Sequence, residues 1–202
     1  MSKPTVWITR RLTDATLERA RSRYEVIVNP SDGTFTGDEI VEMSGKVDAI
    51  LPCHSEIFNA DVVARLDPRL RIIANHSVGV DHCNLPALKE RGIIVTNTPD
   101  VLSDATAEIA ILLMLGAARR AGEGERLIRS GNWKDWSPAF MVGVQTTGKR
   151  FGVLGMGRVG QATARKARGF GMAIHYHNRR PVADEIAEGA VYHDSVEGLL
   201  QH

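Results

Sequence analysis

The sequence predicts an α/β protein in which a doubly wound parallel sheet is followed by a second parallel sheet that is not completed. Two observations predict this. Short apolar segments alternate with helical segments from Thr5 to Val95, as in chains built from strand–helix–strand units. Further on, the run 150–160 has the pattern of a buried strand that turns into a helix through a glycine-rich loop.

In the first half of the chain, short predicted strands alternate with short predicted helices. The pattern predicts one compact domain that ends near Thr98 and Pro99, because a proline disfavours helix in the residue before it. The predicted strands are Thr5–Thr9, Glu25–Val28, Val47–Leu51, Leu70–Ala74 and Ile93–Val95, and the predicted helices are Asp14–Tyr24, Gly37–Met43, Ala60–Leu66 and Leu85–Arg91.

A helix of a different kind is predicted over Ala105–Arg120. Ser103 or Asp104 is a candidate N-cap. The segment 109–115 is apolar on nearly every side, and such a helix is expected to be buried all round. We interpret it as a subunit-interface helix, so that a homodimer is predicted. The alternative is a helix packed between two domains of one chain.

Three glycines in the second half have the G-x-G-x-x-G spacing of a nucleotide-binding turn. Gly155 allows a sharp turn, Gly157 allows a pyrophosphate to approach the backbone, and Gly160 allows the helix to pack closely on the strand. A helix over 161–168 and a strand over 173–177 follow in the order that a dinucleotide-binding (Rossmann) domain requires. The alternative is a strand–helix turn that binds no ligand.

The end of the second strand of this motif discriminates between the two nicotinamide cofactors. NAD-binding sites usually place an Asp or Glu there, whereas this chain has Asn178, Arg179 and Arg180. Arginines bind a 2′-phosphate that a carboxylate would repel. We therefore favour NADP(H), with NAD(H) as the other possibility; two solvated surface arginines are the alternative reading.

Composition excludes several classes of function. The chain has 202 residues, 43% of them hydrophobic, and a formal net charge of +1, which argues against a nucleic-acid or membrane partner. Two cysteines, Cys53 and Cys83, are expected to be buried in a reducing compartment, and neither a signal peptide nor a bilayer-spanning segment is evident, so a cytoplasmic location is predicted. The seven histidines show no metal-binding spacing.

Several motifs in the same order resemble those of the D-isomer-specific 2-hydroxyacid dehydrogenases, most of all the glyoxylate/hydroxypyruvate reductase branch. The matching runs are Ser77–His82, Val95–Leu102, Asp104–Glu108, Gly131–Trp133 with Trp136, and Val153–Gln161. The resemblance implies a flavodoxin-like substrate domain over 1–99 and the N-terminal, incomplete part of a Rossmann domain over 100–202. It also implies an oxidoreductase that reduces a small 2-keto acid to the D-2-hydroxy acid by hydride transfer.

The resemblance assigns substrate-binding roles. In the family, backbone N–H groups equivalent to those of Val78 and Gly79 hold the substrate carboxylate, and a plain turn is the alternative. Trp136 matches a tryptophan that reaches toward the partner subunit's active site, although packing within one subunit is an alternative. His54 lies on a loop that faces the cleft in the family, where a histidine is more often simply solvated or packed.

The resemblance also assigns cofactor-binding roles. Thr106 matches a residue near the cofactor, with an ordinary position in the first turn of a helix as the alternative. The other candidates belong to the glycine turn and to the end of the following strand. They are Gly155, Met156, Gly157, Arg158, Val159, Asn178, Arg179 and Arg180.

The chain departs from the family in one respect. The Arg that grips the keto acid and the Glu–His pair that moves the proton lie beyond the part that this sequence resembles, so that no catalytic residue is assigned. We expect the 202 residues to belong to a longer protein; a genuinely short product is the alternative. Two further functions stay open: an inactive nucleotide-binding or dimerising module, and a nucleotide-sensing scaffold similar to the family's corepressors.

Overall fold

The computed structural model describes residues 2–202, and its contacts divide the chain into two compact units. The first unit ends at Pro99 and the second begins at Asp100. Both are built from parallel strands and helices, so the predicted α/β fold is confirmed. The roles of the two units as substrate domain and nucleotide domain stay predictions.

The first unit contains one five-stranded sheet in which all strands are parallel. Its strand order is β2-β1-β3-β4-β5, which is the doubly wound order of flavodoxin-like folds. The elements are β1 (Thr5–Ile8), α1 (Asp14–Arg23), β2 (Glu25–Val28), α2 (Gly37–Ser44), β3 (Ala49–Leu51), α3 (Ala60–Arg65), β4 (Ile72–Ala74), α4 (Leu85–Glu90) and β5 (Ile94–Thr96).

The main core of this unit lies between the sheet and the helices α2, α3 and α4. Trp7, Ile50 and Ile73 come from adjacent strands, and they pack with buried residues of the helices such as Val63 and Leu88. The apolar side chains of parallel strands point to both faces of the sheet, so helices must cover those faces to keep them from water. Packing on this face therefore fixes where the carboxyl ends of β1, β3 and β4 lie.

The second unit contains a three-stranded parallel sheet in the order β6-β7-β8. This is the order of the first three strands of a Rossmann fold. Val153, Ile174 and Tyr176 from the sheet pack with Ala164 of α7 and Ile111 of α5. The elements are α5 (Ser103–Ala118), α6 (Ala121–Arg129), β6 (Arg150–Leu154), α7 (Arg158–Arg168), β7 (Ala173–His177), α8 (Asp184–Ala187), β8 (Val191–His193) and α9 (Val196–Leu200).

The long apolar helix differs from its prediction in three ways. It runs over Ser103–Ala118, so Ser103 and Asp104 lie inside its first turn, and the residue at the cap, Leu102, forms no side-chain cap hydrogen bond. It ends before Arg120 because that residue has a left-handed φ of 54° and begins the next helix instead. It is not buried all round: only Ala107 and Ile111 are buried.

Smaller differences come from packing that the local sequence does not encode. The strands β3 and β4 begin two residues later than predicted, and α7 begins at Arg158 rather than at Gln161. Leu199 of α9 is 7% exposed, and a Cβ on Gly152 of β6 would lie 3.6 Å from its Cδ1, so Leu199 packs on the sheet of the second unit. Cys83 is buried, but Cys53 is only half buried.

No helix in the described part of the chain is both long and apolar enough to cross a membrane.

Candidate functional site

The turn between β6 and α7 has a geometry that requires glycine at two of its three glycine positions, Gly155 and Gly160. Gly155 has a φ of +98°, in the region that L side chains rarely adopt, and its N–H donates to the carbonyl of His177 over 2.9 Å. A Cβ on Gly160 would lie 2.1 Å from the carbonyl oxygen of Gly155. A Cβ on Gly157 would meet no heavy atom within 4 Å, so the space beside it is open. The turn is tight on the side of the helix and open on the other.

Asn178 ties this turn to the end of β7. The Met156 N–H donates to its Oδ1 over 2.7 Å, which leaves the Nδ2 of Asn178 to donate outward. An open pocket of about 650 Å³ lies here, and no carboxylate lines it. Its lining residues, drawn from the described part of the chain, are Met156, Gly157, Asn178, Arg179 and Arg180.

Arg158 and Val159 form the start of α7, where the first N–H groups of a helix have no intrahelical acceptor. The Nε of Arg158 lies 2.6 Å from Oδ1 of Asp100, so the two terminal nitrogens of this guanidinium are outside that pair. Val159 is half buried and its carbonyl accepts from the hydroxyl of Thr163 over 2.9 Å. The free N–H groups at the start of α7 and the open space beside Gly157 suit the diphosphate of a dinucleotide. The arginines that line the pocket suit a further phosphate.

Thr106 is the one predicted cofactor residue outside this group. It lies in the first turn of α5 and is exposed, and it is not among the residues that line the pocket. Its helix is held against α7 in part by Lys166, whose Nζ lies 3.3 Å from Asp104 and 3.4 Å from Glu108. The structure therefore brings together eight of the nine predicted cofactor residues.

The loop after β4, residues 77–80, contains the predicted carboxylate-binding residues Val78 and Gly79. Three successive carbonyl groups of this loop accept hydrogen bonds: that of Ser77 from the Thr98 N–H, that of Val78 from Asn97 Nδ2, and that of Gly79 from the Ser77 hydroxyl. Within residues 2–202, the N–H groups of Val78 and Gly79 have no hydrogen-bond acceptor. The loop therefore presents unpaired donors, as an anion site requires.

His54 lies on a neighbouring loop, and the structure brings this loop to the same end of the sheet. The N–H of His76 donates to the carbonyl of Pro52 over 2.8 Å, and the thiol of Cys53 is 3.6 Å from the carbonyl of His76. His54 itself is exposed. Three of the four predicted substrate residues are thus on adjacent loops of the first unit.

Nothing in the residues around Glu56 predicts that it anchors this loop. Its side chain is fully buried, and its carboxylate accepts from the Thr9 hydroxyl over 2.6 Å, from the Cys53 N–H over 3.0 Å and from the Ser55 hydroxyl over 2.9 Å. A buried acid needs such donors. Read along the chain, Glu56 looks like an ordinary loop acid, because its partner Thr9 is 47 residues away.

Two buried polar residues, Asn75 before the 77–80 loop and His82 after it, are joined by a hydrogen bond. Asn75 accepts from the Nε2 of His82 over 2.8 Å and donates through Nδ2 to the carbonyl of Thr96 over 3.1 Å. Burial lowers the pKa of His82, and the nearby His54 lowers it further, against the opposing effect of the Glu56 and Asp81 carboxylates. Burial thus favours the neutral form of His82, and because the Oδ1 of Asn75 can only accept, the Nε2 of His82 is the donor in this hydrogen bond.

Trp136 belongs to the second unit and lies in a segment, 131–140, whose residues are all exposed. Trp136 is 73% exposed and Trp133 is 51% exposed. Neither indole is buried by residues 2–202.

Histidines of the second unit pair with each other rather than with acids. The Nδ1 of His175 is 2.9 Å from the Nε2 of His193, and the pKa of His175 is lowered, first by burial and then by His193. Among residues 2–202, no group of three His, Cys, Asp or Glu side chains has a metal-binding arrangement.

Comparison with known proteins identifies the family. Residues 6–196 match the family described as "D-isomer specific 2-hydroxyacid dehydrogenase, catalytic domain". This chain belongs to that family. The family comprises NAD(P)-dependent 2-hydroxyacid dehydrogenases, which confirms the resemblance predicted from the motifs.

Two curated relatives in the 2-hydroxyacid dehydrogenase family are similar over nearly the whole chain. Glycerate dehydrogenase of Hyphomicrobium methylovorum is 43% identical over 202 residues, which cover 99% of this chain and 63% of the relative. Glyoxylate reductase of Thermococcus kodakarensis is 40% identical over 203 residues, covering 98% of this chain and 61% of the relative. The chain thus spans about three fifths of the length of these relatives.

Two solved structures of 2-hydroxyacid dehydrogenases have the same architecture. One is described as a D-isomer specific 2-hydroxyacid dehydrogenase, NAD-binding, from Polaromonas sp. JS6 66, with a TM-score of 0.91, 43% identity, and coverage of 98% of this chain and 62% of that one. The other is an NADPH-dependent glyoxylate/hydroxypyruvate reductase from Sinorhizobium meliloti in complex with NADP and malonate. It has a TM-score of 0.75 and 30% identity, and the match covers 96% of this chain and 58% of that chain.

Proposed function

We propose that this chain supplies the substrate-binding unit and the nucleotide-binding part of a reductase that uses NADPH to convert a small 2-keto acid, of the glyoxylate or hydroxypyruvate type, into the D-2-hydroxy acid. The observation that carries the proposal is the pocket at the end of β7, where Asn178, Arg179 and Arg180 stand together and no carboxylate lines the wall.

The preference for NADP(H) rests on the charges at this pocket. The side-chain oxygen of Asn178 accepts from the Met156 N–H, and the two N–H donors of its Nδ2 are left for the ribose. Arg179 and Arg180 add cations that a 2′-phosphate can bind and that a 2′-hydroxyl does not need. The relative from Sinorhizobium meliloti is described as NADPH-dependent, which supports the same assignment. When bound, the cofactor supplies the hydride.

The first unit would hold the substrate by its carboxylate. The N–H groups of Val78 and Gly79 lack protein acceptors, and an α-keto acid presents an anion of the size that two backbone donors hold. His54 on the adjacent loop is the candidate contact to the rest of a small substrate. Trp136, exposed on the second unit, is proposed as a residue that contributes to the site of a second copy.

The cofactor assignment is tested by replacing both arginines with alanine. We expect the Kd of NADPH to rise at least about 30-fold in the Arg179→Ala/Arg180→Ala variant, since two charge-assisted hydrogen bonds are lost, while the Kd of NADH changes less than about threefold. Isothermal titration calorimetry of the full chain with each nucleotide measures both values.

Two further variants make the comparison specific. Arg165→Ala removes an exposed arginine elsewhere on α7 and should leave both affinities unchanged. Asn178→Asp introduces the acceptor typical of NAD sites and should weaken NADPH while strengthening NADH. Equal losses for the two nucleotides in the double-arginine variant would contradict the proposed NADP(H) preference.

A second function is favoured by the exposed apolar face of α5. The chain by itself could be a nucleotide-binding and dimerising module without turnover, since no catalytic residue is assigned within it. Oxidation of NADPH that depends on added glyoxylate or hydroxypyruvate separates the two functions. Binding of NADPH without such oxidation would favour the module.

A further inference from the structure

Three hydrogen bonds hold the carbonyl groups of Ser77, Val78 and Gly79 in the 77–80 loop. Two of their donors belong to the residues that follow β5: the Thr98 N–H binds the carbonyl of Ser77 over 3.0 Å, and the Asn97 Nδ2 binds the carbonyl of Val78 over 2.8 Å. The third donor is the Ser77 hydroxyl, which is part of the loop itself. Among residues 2–202, Asn97 is therefore the one side chain from outside the loop that fixes a carbonyl of this loop.

A fixed carbonyl also fixes the N–H group of the next residue. In a trans peptide, the C=O of one residue and the N–H of the next are coplanar and point in opposite directions. The bond from Thr98 to Ser77 therefore sets the direction of the Val78 N–H, and the bond from Asn97 to Val78 sets the direction of the Gly79 N–H. Because both carbonyls face the same segment, 97–98, both N–H groups face away from it, toward the same side.

The segment that carries Asn97 is itself held by the sheet. Asn97 directly follows β5, and the carbonyl of Thr96 accepts both the backbone N–H and the side-chain Nδ2 of Asn75, over 2.9 and 3.1 Å. The backbone beside Asn97 is thus fastened to the end of β4. The residues that hold the 77–80 loop are therefore themselves fixed by the sheet, at the ends of β4 and β5.

We propose that Asn97 is a positioning residue for substrate binding: by holding the carbonyl of Val78, it aims the Gly79 N–H at the carboxylate of a small 2-keto or 2-hydroxy acid. This inference rests on the proposed function of the 77–80 loop. Asn97 does not touch the substrate in this proposal, and its effect passes entirely through the orientation of one peptide group.

The experiment follows individual amide signals of the ¹⁵N-labelled full chain while oxalate, a two-carbon carboxylate probe, is added. In the wild-type chain we expect the Val78 and Gly79 amides to shift on binding. In Asn97→Ala we expect the oxalate-induced shift of Gly79 to be lost and the Kd to rise about tenfold, as for the loss of one hydrogen bond. The Val78 amide, which Thr98 orients, should retain its response.

Two variants distinguish positioning from general loosening. Asn97→Gln keeps an amide donor and should restore part of the Gly79 response, whereas a merely structural defect would move Val78 and Gly79 alike. Asn132→Ala removes an exposed asparagine of the second unit and should bind oxalate as the wild type does. A thermal melt of each variant checks that it is folded.

The outcomes separate the two proposals. If the Val78 and Gly79 amide signals of the wild-type chain do not shift when oxalate is added, both the proposed carboxylate loop and the role of Asn97 are contradicted. A wild-type response that persists unchanged at Gly79 in Asn97→Ala would contradict the role of Asn97 alone.

Discussion

At the scale of single residues, the buried side chain of Glu56 determines the course of the loop that carries His54. Its carboxylate connects the hydroxyl of Thr9 at the end of β1 with Cys53 and Ser55, on either side of His54. Charged groups are rarely fully buried unless all of their bonding capacity is used. Glu56 therefore fixes the backbone on both sides of His54, and this backbone determines where His54 lies.

Removing the Glu56 carboxylate should destabilise the first unit. We expect Glu56→Ala to lower the free energy of unfolding by about 3 kcal/mol, because it leaves a cavity and the unpaired donors of Thr9 and Cys53. Glu56→Gln should cost less than half as much, since its amide oxygen can still accept from both donors and the Ser55 hydroxyl can turn to accept from the amide. Urea unfolding followed by circular dichroism measures both.

Glu42→Ala is the matched control for this change. Glu42 is exposed and pairs only with Lys46, one turn away on α2, so its loss should change the free energy of unfolding by less than about 0.5 kcal/mol. If Glu56→Ala were as mild as Glu42→Ala, the anchoring role of Glu56 would be wrong.

At the scale of elements, α5 has two faces with different surroundings. Ala107 and Ile111 are buried in the second unit, and the helix packs along α7. Ile109, Leu112 and Leu113 lie at helical spacing on another side and are 55%, 62% and 66% exposed. Large apolar side chains grouped in this way are typical of an association surface, and we propose that a second copy of the chain covers them.

This proposal predicts that charge on the exposed face prevents self-association. We expect Leu112→Glu/Leu113→Glu to raise the dimer dissociation constant at least about 100-fold, since two buried leucines would each contribute about 1.5 kcal/mol or more. Sedimentation equilibrium of the wild-type and variant chains measures this constant. Ile57→Glu, a comparably exposed apolar residue of the first unit, should not change it. A wild-type chain that is monomeric at high concentration would contradict the proposed dimer.

At the scale of the whole molecule, each unit has a core of its own. The core around Trp7, Ile50 and Ile73 contains only residues of the first unit, and the core around Val153, Ile174 and Tyr176 contains only residues of the second. The candidate carboxylate loop and the candidate nucleotide pocket are likewise built each within one unit. Stability and binding should therefore respond separately to changes in each.

Differential scanning calorimetry tests this separation. We expect two transitions, of which Glu56→Ala lowers only the one that the fluorescence of buried Trp7 also reports when Trp133 and Trp136 are replaced by Phe. NADPH at about 100 times its Kd should stabilise the other unit by about 2.7 kcal/mol. One transition that shifts as a whole with either change would mean that the chain unfolds as a single cooperative unit.

How much could be predicted from the sequence differs between the two candidate sites. The candidate nucleotide turn is local: Gly155 is required by its positive φ and Gly160 by the close approach of the Gly155 carbonyl, both within one strand–helix unit, and eight of the nine predicted cofactor residues lie together. The substrate loop was located only through Val78 and Gly79. Its supports, Asn97 and Glu56, escaped prediction because their partners are 19 and 47 residues away.

The sequence by itself determined the alternation of strands and helices, the glycines of the turn and the absence of an acid at the end of β7, because each of these depends on neighbours within a few residues. Only the tertiary structure decided which strand ends meet, and therefore that Asn97 reaches Val78 and that Glu56 reaches Thr9. It also decided that Trp136 and one face of α5 are exposed. The presence of apolar residues in the sequence does not predict this exposure, because the same residue type is found both in the core of its own chain and at a surface that another molecule covers.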